Sequence, residues 1–149
     1  MGCVIAVTGC GPGSDGPPQA DRPEEQTLLA ELQRVLGADR AIAEVDMTPL
    51  DETGRRLVTV TWALRPGYYA GRHARADVRA ILSAVARSRL SAGRVVLWGT
   101  AESGGRREAV VSLQYDLHRL GVSDWATVDP AGIYDLAATR DVHSAFAGE

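Results

Sequence analysis

From residue 28 onward the chain switches between two hydrophobic periods, and the switches lay out its elements. Leu28, Leu29, Leu32, Val35 and Leu36 recur at i, i+1, i+4, i+7 and i+8, the stripe of an amphipathic helix. Asp21-x-x-Glu24 supplies a capping-box pattern with Pro23 in the first turn, and Gly37 a stop. Two strands are predicted next, over 41–47 and 56–64, with Thr48–Gly54 as the hairpin loop between them. In the second, Val58, Val60, Trp62 and Leu64 alternate with Thr59, Thr61 and Ala63, the period of a half-buried strand. A second helix is predicted over 71–90, its apolar face formed by Val78, Ile81, Leu82 and Val85. Strands over 94–101 and 108–117 follow, joined by a turn at Gly104-Gly105. Asp129-Pro130 then opens a last helix through about Thr139.

The pieces repeat. Residues 28–64 lie over residues 81–117 without a gap, at a constant offset of 53, and each stretch reads helix, strand, strand. Identities are few (Leu29/Leu82, Arg34/Arg87, Val58/Val111 and Leu64/Leu117), so duplication of an αββ unit and convergence on one binary pattern both fit. Either origin predicts an α+β fold in the order α-β-β-α-β-β-α. The expected architecture is a four-stranded, mainly antiparallel sheet with helices on one face. Residues 23–149 are read as a single α+β domain.

Composition narrows the function classes. With 45% hydrophobic residues and 149 in all, the chain can bury a core without a metal or a disulfide. A net charge of −3 offers no basic face for phosphates, so no nucleic-acid partner is expected. Every one of the 16 basic residues is arginine, and asparagine is missing too. Loss of both Lys and Asn points to the codon usage of a high-G+C bacterium; selection for guanidinium chemistry would not remove asparagine.

The two cysteines, Cys3 and Cys10, both precede the predicted domain. Residues 4–10 read Val-Ile-Ala-Val-Thr-Gly-Cys, a short apolar run ending in small residues before a cysteine. This resembles the lipobox of bacterial lipoproteins. The resemblance implies a signal peptide over 1–10, cleavage before Cys10, and acylation of its sulfur with fatty acid such as palmitate. Two acyl chains anchor a protein in place of a spanning helix, because each buried methylene contributes about 0.8 kcal/mol. Residues 11–22, rich in Gly and Pro, then form a flexible tether. A secretory signal also needs a positive n-region, yet nine uncharged residues precede Cys10. Two expectations stay open: an upstream start that completes the signal, or a cytoplasmic protein with a polar leader.

Candidate chemistry is sparse. His73, His118 and His143 are scattered without metal-ligand spacing, and no serine sits in a nucleophile motif. Gly99–Gly105 lacks the phosphate-loop spacing and is read as the hairpin turn. No catalytic residue, metal or cofactor is expected. Arg72, Arg75 and Arg79 fall at i, i+3 and i+7 beside the apolar face of the second helix, and Tyr68-Tyr69 sits in the connection before it. Together these five form the candidate interaction surface, with a solvated face partly paired to Asp77 as the bland alternative. Trp62, Trp98 and Trp125 are expected in the core or under the C-terminal segment. The function expected is a non-catalytic lipoprotein of the cell envelope, an accessory or binding module held at the membrane by its lipid, or a subunit of an envelope protein assembly. The alternatives are a cytoplasmic or phage-encoded regulatory, immunity-type interaction protein, and a hydrolase whose site assembles from separated residues.

Overall fold

A computed structural model describes residues 20–37, 40–88 and 90–148; the leader, including Cys10, lies outside them. Helix α1 spans Pro23–Leu36 and buries Leu28, Leu32 and Leu36. Its cap sits one residue later than the Asp21/Glu24 pattern predicted. Arg22 is the N-cap residue, and the side chain that reaches back is Glu25. The Glu25 carboxylate accepts from the backbone N–H of Arg22 at 2.8 Å, of Asp21 at 3.0 Å and of Met47 at 2.8 Å. Met47 decides the shift: it lies on the neighbouring edge strand, and Glu25 is the acid on the side of α1 that can serve it.

Strands β1 (Ile42–Pro49) and β2 (Arg56–Ala63) form the predicted antiparallel hairpin. Helix α2 (Ala70–Arg87) carries the chain back, and β3 (Ala92–Ser103) and β4 (Arg106–Asp116) form the second hairpin. Its turn has Gly104 and Gly105 at φ of 60° and 78°, the left-handed pair that a two-residue hairpin requires. The expected sheet is corrected in two respects. It has five strands in the order β1-β2-β3-β4-β5, and it is mixed, because β2 and β3 run parallel. A helix of 18 residues is about 27 Å long, enough to return the chain to the end where β2 began. The two αββ units therefore stand side by side in the same orientation.

The fifth strand, β5 (Thr139–Val142), begins where the last helix was expected to end. Asp129 does cap, accepting from Ala131 N–H at 3.0 Å, but the helix is a 3-10 segment, Pro130–Leu136. Tyr115 Oη donates to Ile133 O at 2.8 Å, which pins this segment into the core, and Ala138 N–H donates to Gln114 O at 2.7 Å, which starts the new ladder. Shorter pieces complete the chain: α3 (Leu117–Leu120), a 3-10 turn at Trp125–Thr127, and α4 (Ser144–Ala147).

One contiguous core gathers beneath α1 and α2, from Leu28, Leu32, Val78, Ile81 and Leu82 on the helices to Val58, Val60, Trp62, Leu97 and Leu113 on the sheet. Helix α2 lies over β3 and is flanked by α1, by both 3-10 segments and by α4. Trp125 docks the C-terminal segment as expected, buried edge-to-face against Tyr115 with ring centroids 6.0 Å apart.

Candidate functional site

Strand alternation sends every second residue to the side of the sheet away from α1 and α2. Registers align these residues into rows across all five strands. One row reads Glu44, Thr61, Trp98, Ser112, Asp141, and the next Asp46, Thr59, Val96, Gln114, Thr139. Near the middle stands Trp98, 38% exposed. Its expected place in the core is corrected here: the neighbours Leu97 and Gly99 point inward, so Trp98 cannot. Gly99 packs closely on Leu64, whose Cδ1 would lie 3.0 Å from a Cβ at that position. Around Trp98 the face is polar and acidic. Glu44, Asp46 and Asp141 make no ion pair among the described residues, whereas Arg94 and Asp116 pair at 2.8 Å nearer one end. Burial, then the charges of Asp46 and Glu25, lift the Glu44 carboxyl above its ordinary value.

The five residues of the predicted interaction surface divide into two groups. Tyr68 and Tyr69 are 90% and 49% exposed, stacked edge-to-face at 4.9 Å, and the Arg72 guanidinium lies 5.1 Å from the Tyr69 ring centre. Arg75 and Arg79 turn to the C-terminal segment instead. Arg75 donates to Ala147 O at 2.5 Å and to Gly148 O, with its guanidinium 4.5 Å from the Tyr134 ring centre. Arg79 donates to Val128 O at 3.2 Å. Gly71 permits this docking, since a Cβ there would fall 1.8 Å from Gly148 O. Arg72 and Arg75 line a cleft of about 190 Å³ with Asp129 and Pro130, below the volumes that hold drug-sized ligands.

Asp77, expected to balance those arginines on a solvated face, is buried and bonded elsewhere. Its carboxylate takes a forked pair from Arg40 at 3.1 and 2.6 Å and a third bond from Trp62 Nε1 at 3.1 Å. Arg40 also donates to Ala63 O at 2.8 Å, so the network ties the start of β1, the end of β2 and α2 together. Every charged atom faces an opposite partner, which suits a structural brace. Burial, reinforced by Asp77 and opposed by Arg75, pushes the nearby Tyr134 hydroxyl up to about 12, and it donates to Phe146 O at 3.1 Å.

The histidines serve separate places. His118 Nδ1 meets Gly93 O at 2.9 Å, His143 Nδ1 accepts from Ala145 N–H at 3.1 Å, and His73 lies 6.4 Å from the Tyr69 ring. Among the described residues, no three His, Cys, Asp or Glu side chains gather as a metal ion would need. No helix of the described residues is long and apolar enough to cross a membrane. Comparison with known proteins adds nothing to this geometry: no family model, curated protein or solved structure matches the chain.

Proposed function

We propose that the chain is a non-catalytic binding module of the bacterial envelope, tethered by lipid on Cys10, and that its working surface is the face of the sheet away from α1 and α2. The observation that carries this reading is Trp98. A large aromatic ring, 38% exposed near the middle of a sheet with Thr61 and Ser112 on either side, offers contact area at little entropic cost. The lipobox-like residues before Cys10 and the Gly/Pro tract after it supply the tether. The Tyr68, Tyr69 and Arg72 group supports a second contact, suited to a subunit of an envelope assembly, because the two tyrosines project from the connection after β2 and Arg72 from the first turn of α2.

Two measurements test the reading. Intact-mass spectrometry of the protein made in its own host, with the upstream DNA included, is expected to show a Cys10 N-terminus carrying acyl mass. An unmodified thiol at Cys10 would return the protein to the cytoplasm. Photo-crosslinking from position 112, on the open face, is expected to trap a partner that position 124, on the exposed C-terminal segment, does not. Equal trapping at both positions would remove the face from consideration.

A further inference from the structure

We propose that the open face of the sheet takes an arginine- or lysine-bearing segment of a protein partner, laid across the Trp98 ring with its cationic heads held by Glu44, Asp46 and Asp141. The inference rests on the reading of that face as the binding surface, and adds the chemistry of what binds.

Three observations carry it. The first is the placement of charge. Glu44 and Asp141 end the row that contains Trp98, each two strands from it and so about 10 Å away, one on either side. Asp46 follows Glu44 on the same face of β1. None of the three has an arginine opposite it among the described residues, although the chain holds 16 arginines. The second is the ring, since a guanidinium or ammonium over an indole face is held by the ring quadrupole and indole does this best. The third is the Glu44 carboxyl, lifted by burial and by its acidic neighbours Asp46 and Glu25. An arriving cation would relieve that repulsion. The same charges argue against a second copy of this face, which would set acid against acid, and against an anionic membrane surface.

The test uses the full chain and acetylated octapeptides alternating Thr with Arg, with Gln or with Glu. Trp98 is the exposed one among three tryptophans, so quenching of its fluorescence and the shift of its indole N–H report the site. The Arg peptide is expected to bind saturably and more weakly as salt rises. Trp98→Ala should weaken it about threefold to fivefold, and the shape-preserving combination Glu44→Gln, Asp46→Asn and Asp141→Asn about tenfold. Circular dichroism checks that both variants keep the fold. Equal binding of the Gln peptide, or no saturable binding of the Arg peptide, would overturn the cationic inference and leave the lipid anchor standing. Shifts confined to Tyr68, Tyr69 and Arg72, unchanged by Trp98→Ala, would overturn the choice of face as well. Self-association that Trp98→Ala abolishes would name a second copy as the occupant and also refute the proposal.

Discussion

The two faces of the sheet are built from the same strands and obey opposite rules. Toward the helices, Val58, Val60, Trp62, Val95, Leu97, Leu113 and Tyr115 are sealed from water. Away from them, Thr59, Val96, Ser112 and Gln114 are half-buried, Thr61 is buried beside Trp98, and Trp98 itself is 38% exposed. The covered face holds the buried Arg40–Asp77 pair in a fully bonded network, while Glu44, Asp46 and Asp141 on the open face make no ion pair among the described residues. The core lies on one side of the sheet, and the other side is left with polar and acidic side chains around Trp98.

The sharpest way to break the contrast is through the brace under the covered face. Asp77→Ala strands Arg40, whose side chain is only 6% exposed, and removes the acceptor of Trp62 Nε1. A loss of about 3–5 kcal/mol is expected in urea unfolding; a loss below 1 kcal/mol would mean the brace is solvated. Adjacent residues then probe the two faces directly. Leu97→Ala should cost about 2–5 kcal/mol by opening a cavity, and Trp98→Ala about 1 kcal/mol or less. Similar midpoint shifts for the two would erase the distinction. Gly71→Ala, which pushes a methyl at the Gly148 carbonyl, should cost about 1–3 kcal/mol. Faster amide exchange over 144–148, ahead of global unfolding, is the readout.

Two glutamates give the smallest effect and the most discriminating sign. Burial opposes ionisation of Glu25, but its three backbone donors prevail and hold its carboxyl below the ordinary glutamate value. Its contribution is present above the ordinary carboxylate range and lost as pH falls through its folded value. Glu44 is shifted upward, so its ionisation opposes folding at neutral pH, and that penalty disappears as pH falls below the ordinary carboxylate range. Glu25→Gln should therefore flatten the acid-side loss of stability, and Glu44→Gln should raise stability at pH 7 but not at pH 3. Parallel pH profiles for the two variants would contradict the assignment.

Legibility in the sequence followed the same divide. The covered face was readable because its residues recur with period: α1, β2, the apolar side of α2 and the repeated αββ pattern all announce themselves. Strand β5 was hidden because its four residues, Thr-Arg-Asp-Val, are mostly polar and too few to alternate convincingly. The parallel seam between β2 and β3 follows from the length of α2, a cue that period alone does not use. Trp98 was misplaced because β3 reads apolar on both faces, with Val95 and Leu97 on one and Val96 and Trp98 on the other, so its own pattern does not fix the parity. Ser112 and Gln114 across the hairpin carried the missing signal. Asp77 resembled a surface acid among arginines because its partner, Arg40, lies 37 positions away.

The bond from Met47 to Glu25 has a further consequence. Arg22 takes the Met47 carbonyl at 3.0 Å as well, and Pro49, two residues on, has no N–H to offer. An incoming strand would find these positions of the outer rim of β1 occupied or mute, the kind of blunting that guards sheet proteins against fibril growth and swapped dimers.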